Sequence, residues 1–392
     1  MTGPLTQYVE GLEAELLRAG YARGTVDAQL RMVAGLDGWL VAQNLDAAAL
    51  TAAVIEQFMV PRRGGGEHLR TARALEPLIG YLRDLGVSPP PASAVAVTPL
   101  EQLLARYERY LLVERGLAAS TVRRYVHVAR AFLGSRESDA GVDLNALCAR
   151  DVTEHVVAVC RVRRGRELVT ALRSLLGFLH LDGLVGPELG AAVPSVAGWR
   201  LTGLPQALER GQVRLLLDSC DRDTIQGRRD FAILTLLVRL GLRRGEVAAL
   251  LLDDIDWRAG EIAISNGKRG RRERLPLPDD VGEALVGYLR DGRPHCVDTR
   301  RVFIRMIAPS RALTSNGVGD VVRAAGRRAG LGEIAAHRLR HTAATDMLRA
   351  DASLAEIGQV LRHRTPRTTA IYAKVDLEAL RRLARPWPED RS

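Results

Sequence analysis

Lysine is nearly missing from this chain. Of 56 basic residues only Lys268 and Lys374 are lysines, so positive charge is carried by arginine. Guanidinium offers a planar fork of donors suited to phosphate and stays protonated, whereas an ammonium can release a proton if its surroundings lower its pKa. Cysteine is scarce as well. Cys148, Cys160, Cys220 and Cys296 are scattered with no C-x-x-C spacing, which argues against a cysteine zinc site or a disulfide framework and fits a reducing compartment. Long apolar runs are also absent: stretches such as "AAAL" (47–50) and "FAIL" (231–234) are far too short to span a bilayer. The opening "MTGPLTQYVEGLEAELL" has acids and no basic-then-apolar order, so the expectation is a cytoplasmic protein with no membrane partner.

What is present is an ordinary globular composition, 47% hydrophobic and 26% charged over 392 residues, long enough for two or three domains. The net charge of +10 is unevenly placed. Lys and Arg number 8 against 10 acids in residues 1–97, 13 against 11 in 98–199, and 35 against 25 in 200–392. The surplus in the last segment points to a polyanionic partner.

Two proline-containing breaks, at 87–99 and 186–205, divide the chain. The segments flanking the first break resemble each other. "RAGYARGTVDAQLRMVAGLDGWL" (18–40) aligns with "VERGLAASTVRRYVHVARAFLGS" (113–135), Thr25 opposite Thr121, and "LIGYLRDLGV" (78–87) aligns with "LLGFLHLDGLV" (175–185). Each is expected to be one copy of a small helical unit duplicated in tandem. Thr25 and Thr121 stand where a helix N-cap would. The second copy carries Arg123, Arg124 and Arg130 on its polar side, while the first has Asp27 in place of one of these arginines. The two copies are therefore not expected to grip a polyanion alike.

Beyond 205 the spacing predicts helices in "LPQALERGQVRLLLDSC", "RRDFAILTLLVRLG" and "GLRRGEVAAL", and at 279–290, 315–329, 337–350 and 353–361. "EIAIS" and "ERLPLP" read as a hairpin joined by the basic turn "NGKRGRR", which holds Lys268, Arg269 and Arg271. The fold class is mainly α with a small β-sheet: tandem helical N-terminal domains (1–90 and 98–184) followed by an α+β domain (200–392).

"AHRLRHTAAT" (336–345) sets His337, Arg340 and His341 on one face of its helix. Two histidines four apart invite zinc, but the zincin pattern needs a Glu beside the first ligand, and here Arg338 holds that place. A fixed cation on that face suits an anion better. Lys268 is either a solvated charge or a proton donor. Tyr372, nine positions after His363, is either a packing residue or a nucleophile, the latter only where a base takes its proton and the electrophile's charge is neutralised.

From about residue 98 to 380 the chain resembles the tyrosine recombinases, the integrase family of site-specific recombinases, close in pattern to the Xer type. "GLRRGE", "NGKRGRRERLPLP", "HRLRHTAAT" and "VLRHRTPRTTAIY" occur in the family's order and spacing. The resemblance implies that Arg243 and Arg340 clamp the scissile phosphate and Tyr372 attacks it, leaving a 3′-phosphotyrosyl bond. It implies further that Lys268 protonates the departing 5′ oxygen, His337 serves in proton transfer with the nucleophile, His363 hydrogen-bonds the phosphate, and Glu246 orients Arg243. His341 is then a neighbour inside the pattern. No metal or other cofactor is implied. Arg123, Arg124, Arg130, Arg269 and Arg271 are the expected DNA contacts. The implied partners are a double-stranded recombination site, further copies of the chain as a tetramer on paired sites, and a second recombinase or accessory protein.

The chain departs from the family pattern at Arg362, where a glycine is usual. The "GLR" pattern assigns the catalytic arginine to Arg243 rather than Arg244. The tail "VDLEALRRLA", with Leu377, Leu380 and Leu383 on one stripe, either docks on a neighbouring protomer or packs in cis. Competing readings are a type IB topoisomerase, a non-catalytic DNA-binding protein of the same fold, and a metallohydrolase, the last disfavoured by Arg338.

Overall fold

The computed structural model describes residues 2–60, 72–89, 98–138, 141–160, 165–186, 188–194, 206–265, 272–294, 299–363 and 365–375. The chain forms two compact units, Met1–Pro89 with Leu201–Ser392, and Pro90–Arg200. The fold is mainly helical with a small three-stranded antiparallel sheet.

The first stretch contains α1 (Val9–Arg18), α2 (Arg23–Ala42), α3 (Ala52–Met59) and α4 (Glu76–Asp84), closing on their own core of Leu12, Leu16, Val33, Leu36, Phe58 and Leu78. In Pro90–Arg200 the same order returns as α5 (Pro99–Arg109), α6 (Ala119–Leu133), α7 (Ala149–Cys160) and α8 (Gly165–Leu181), followed by the short α9 (Glu188–Ala191). Their core includes Leu104, Tyr107, Phe132, Leu172 and Leu179. A two-residue ribbon, β1 (Glu137–Ser138) with β2 (Gly141–Val142), interrupts this second copy and was not anticipated.

Thr25 and Thr121 are not N-caps. Ala22 and Ala118 take that position, entering from extended backbone at φ −65, ψ 144 and φ −63, ψ 140. The Thr25 and Thr121 amides already donate to the Ala22 and Ala118 carbonyls at 2.8 Å, inside the first turn. Nothing in Arg23–Gly24 or Ala119–Ser120 prevents the earlier start, and the threonine signal is overridden.

The last stretch contains α10 (Arg210–Asp218), α11 (Ile225–Arg239), α12 (Arg244–Ala249), then β3 (Ile255–Asp256), β4 (Glu261–Ser265) and β5 (Arg272–Pro276). After the sheet come α13 (Asp279–Asp291), α14 (Ser315–Arg328), α15 (Ala336–Arg349), α16 (Leu354–Val360) and α17 (Pro366–Thr369), with a 3-10 turn at Ala370–Val375. Every residue of α11 from Ala232 to Val238 is buried, so this is the central helix rather than a one-sided surface helix. Its one polar member there, Thr235, donates its hydroxyl to the Phe231 carbonyl at 2.8 Å. The sheet pairs Ile262 with Leu275, and Ile262, Ile264 and Leu275 bury their side chains in the same core. Residues 266–271 between β4 and β5, which include Lys268, Arg269 and Arg271, lie outside the described residues, as do Leu377, Leu380 and Leu383.

Candidate active site

The site gathers where three chain reversals meet α15. That helix carries His337, Arg340 and His341 on one face, as the three-and-four spacing requires. Gly241 follows α11 in the left-handed region at φ 58. A Cβ there would stand 2.5 Å from Leu361 Cδ2 and 3.3 Å from Ala343 Cβ, so the position needs glycine on two counts. Its carbonyl accepts from Arg340 Nη1 at 2.5 Å, and the Leu361 carbonyl accepts from Arg340 Nη2. Arg340 is 2% exposed. Burial, with Arg243 nearby, pushes its guanidinium down to about 10, so it remains a cation at neutral pH.

Arg243 stands just before α12. Its backbone N–H donates to Glu246 Oε2 at 2.8 Å, its Nη1 to Glu246 Oε1 at 2.6 Å, and its Nη2 to the Arg362 carbonyl at 3.1 Å. The two arginines therefore anchor on consecutive carbonyls, those of Leu361 and Arg362. With these bonds made, each guanidinium still has N–H groups to offer a ligand.

The end of α16 explains the Arg362 departure. The His363 amide donates to the Gly358 carbonyl and the Arg362 amide to the Gln359 carbonyl, both at 2.9 Å, with Arg362 at φ 53. This is a Schellman helix end, and its left-handed position is where glycine is favoured. The Arg362 side chain turns inward, fully buried, and Nη2 donates to Glu246 Oε2 at 2.8 Å. Burial would raise the Glu246 carboxyl, but Arg362 and Arg243 outweigh it and hold the group below the ordinary carboxylate range. Arg362 Nε has no hydrogen-bond partner among the described residues.

Tyr372 is 1% exposed, delivered by the 3-10 turn after α17. Its hydroxyl lies 3.0 Å from His341 Nδ1. Burial raises its pKa above the usual tyrosine value, and Arg340 opposes that only in part. The ring of His363 lies parallel to that of Tyr372, with centroids 6.4 Å apart, and His363 Nδ1 is 2.7 Å from Thr369 Oγ1. His337 packs edge-on to His341 with centroids 4.4 Å apart. Burial, with His337 and Arg340, lowers His341 to about 4; burial, with Arg340 and Arg243 foremost among its neighbours, lowers His363 to about 4; and burial with the same two arginines also lowers His337. These surroundings favour the neutral form of all three rings.

The structure thus brings together Arg243, Glu246, His337, Arg340, His363 and Tyr372, drawn from four elements. Of the expected DNA contacts, Arg123, Arg124 and Arg130 lie exposed on α6, Arg124 3.4 Å from Glu167 and Arg130 Nη2 3.0 Å from Glu101 Oε2. Sequence reasoning missed the His341 contact with Tyr372 and the carbonyl anchors. His341 could have been found only through its place beside Arg340 on the site face of α15. Among the described residues no three His, Cys, Asp or Glu side chains cluster to hold a metal, and no helix is long and apolar enough to cross a membrane.

Residues 206–378 match the model of the phage integrase family. A protein of Sinorhizobium fredii named as an integrase/recombinase (y4rA) is 41% identical over 396 residues, spanning 98% of this chain and 95% of its own length. A tyrosine recombinase XerD of Mycobacterium tuberculosis is 31% identical over 301 residues, covering 71% of this chain and 94% of its own. Among solved structures, a lambda integrase dimer bound to a COC′ core site has a TM-score of 0.54 at 16% identity, over 77% of this chain and 87% of that one. A XerH site-specific recombinase bound to a palindromic difH substrate also scores 0.54, at 19% identity, over 76% and 99%. At such identities the two structures bear on fold alone.

Proposed function

This chain belongs to the phage integrase family, the tyrosine recombinases, and on that premise we propose that it cuts and rejoins DNA at a specific site through Tyr372. The observation that carries the reading is a buried tyrosine whose hydroxyl meets His341 and whose ring lies parallel to His363, in a site where Arg340 and Arg243 are anchored on the Gly241, Leu361 and Arg362 carbonyls. Arg243 and Arg340 bind the non-bridging oxygens of the scissile phosphate, and their fixed charge stabilises the pentacoordinate transition state. The Tyr372 oxygen forms a bond to phosphorus while the bond to the 5′ oxygen breaks, leaving a 3′-phosphotyrosyl link and a free 5′-hydroxyl. Lys268, between β4 and β5 in the sequence, supplies the proton to the departing oxygen. His337 serves in proton transfer around the nucleophile, His363 hydrogen-bonds the phosphate, and Glu246 orients Arg243. Attack by a 5′-hydroxyl of the partner strand reverses the step, so bond energy is conserved and no external energy source is required.

Residues 98–184 serve as the core-binding domain and 200–392 as the catalytic domain, with 1–90 a diverged copy of the former. Arg123, Arg124, Arg130, Arg269 and Arg271 contact DNA phosphates. The active assembly is a homotetramer on paired sites, with a partner recombinase or accessory protein where the site demands one, acting in the cytoplasm.

The test is a nicked suicide duplex, built on a site selected by the protein from random sequence and resolved on a denaturing gel. A covalent protein–DNA band that requires Tyr372, lost in Tyr372→Phe and persistent in EDTA, is the expected result. Wild-type protein that binds the duplex and forms no adduct returns the chain to the non-catalytic reading.

A further inference from the structure

We propose that His341 is the general base that takes the Tyr372 hydroxyl proton as the tyrosine attacks. The inference rests on the reading of Tyr372 as nucleophile and adds a residue to it. Tyrosine is a poor nucleophile at neutral pH, so a buried one needs an acceptor within hydrogen-bond reach of its hydroxyl. His341 Nδ1 is that acceptor, at 3.0 Å. The other titratable groups of the site are placed for something else. His363 turns its Nδ1 to Thr369 Oγ1 at 2.7 Å and lies parallel to the tyrosine ring. His337 meets the edge of His341, one ring further from the tyrosine, and Glu246 is held by Arg243 and Arg362.

The Tyr372 O–H bond breaks and an N–H bond forms at His341 Nδ1, with the other ring proton on Nε2. The phenolate oxygen attacks phosphorus, and the 5′ oxygen leaves with its electron pair and takes a proton from a separate donor. In the resealing step the tyrosine oxygen leaves phosphorus and recovers the proton from His341. The groups facing His341 are His337, Arg340 and Tyr372, and burial together with His337 and Arg340 keeps the ring in its neutral form. A phosphodiester seated on Arg340 brings negative charge beside the ring and offsets the cationic field that opposes its protonation. Base strength is therefore raised by the substrate itself, and the proton stays on the ring only while the phosphate is in place.

The experiment is single-turnover cleavage of the suicide duplex by wild type, Tyr372→Phe, His341→Asn and His341→Ala. DNA affinity and melting temperature are measured in parallel. Asparagine keeps an oxygen acceptor for the tyrosine hydroxyl but cannot hold its proton, so a residue that only positions the ring tolerates it. The expected result is a loss of about 10²- to 10⁴-fold in cleavage rate for His341→Asn, with DNA binding retained. Added imidazole restores part of the His341→Ala rate. A 5′-bridging phosphorothiolate, whose sulfur leaves without a proton, does not rescue His341→Asn, and this separates a missing base from a missing acid. His341→Asn cleaving at a near wild-type rate, or rescued by the phosphorothiolate, overturns the assignment while leaving Tyr372 in place. Wild type that forms no adduct on bound DNA overturns the nucleophile reading and this inference with it.

Discussion

Arg362 combines a backbone that favours glycine with a side chain that glycine cannot replace. A non-glycine residue in the left-handed region costs about 1–2 kcal/mol, which Arg362 carries at φ 53. Against that stands its pairing with the buried Glu246 carboxylate. Removing the guanidinium leaves Glu246 with Arg243 as its remaining cation, a loss of about 1–3 kcal/mol. Arg362→Gly recovers the backbone cost and Arg362→Ala does not. Arg362→Ala is expected to unfold at lower denaturant than wild type, and Arg362→Gly to lie above Arg362→Ala by about 1 kcal/mol. The deficit depends on pH. In wild type the Glu246 carboxyl titrates below its ordinary range, so its contribution is complete above the unfolded pKa and disappears as pH falls through the folded value. The gap between wild type and either variant is therefore widest near neutrality and closes below the ordinary carboxylate range, which unfolding curves at stepped pH will show. The unusual residue at 362 was visible in the sequence as a departure from the family pattern. Its partner was not, because Glu246 and Arg362 meet only when the ends of α12 and α16 converge.

Among the elements, α15 was the most legible: the expected span 337–350 is observed as Ala336–Arg349, and its period alone puts His337, Arg340 and His341 together. Less legible was what the face points at, since Gly241, Leu361 and Tyr372 come from other elements and no periodicity links them. Gly241→Ala tests how far these reversals set the arginine. The new Cβ meets Leu361, whose carbonyl receives Arg340, and the backbone at φ 58 is strained at the same time. Stability is expected to fall by about 1–3 kcal/mol, with cleavage on the suicide duplex falling further than the folded fraction accounts for. On α6 the exposed arginines are unequal. Arg130 already shares its charge with Glu101, whereas Arg123 is an exposed arginine of the second copy where the first copy places Asp27. Arg123→Ala is expected to weaken DNA binding and lower the slope of log affinity against log salt by about 0.9, and Arg130→Ala by less, because its charge is partly neutralised before DNA arrives. Gel-shift titrations at several salt concentrations measure both.

For the whole molecule, residues 200–392 hold 35 basic against 25 acidic side chains, a surplus of ten. The duplication of a small helical unit was readable along the chain, but not that each copy runs to four helices or that a two-residue ribbon interrupts the second. The grouping of Met1–Pro89 with Leu201–Ser392 was not readable either, because it depends on contacts such as the Ser310 amide donating to the Ala19 carbonyl at 2.7 Å. The same long-range pairing limits what net charge predicts. Arg239 pairs with Asp280 at 2.6 Å, Arg274 with Glu261 at 2.8 Å, and Arg349 with Glu209 at 3.4 Å, so many arginines already have an anionic neighbour. Exposed pairs of this kind contribute little to stability, about 0–1 kcal/mol each, and a phosphate can displace the carboxylate at small cost. Each exchange releases a DNA counterion but strands a carboxylate near the backbone. The salt slope of binding is therefore expected to stay below the value of about 9 that ten independent phosphate contacts would give. Tyr372→Phe should leave that slope unchanged while abolishing the covalent product, because the hydroxyl carries no charge in the bound state and phosphate capture rests on the arginines. A slope that changes with Tyr372→Phe would mean that binding and adduct formation are being measured together, and the titration repeated on uncleavable phosphate separates them.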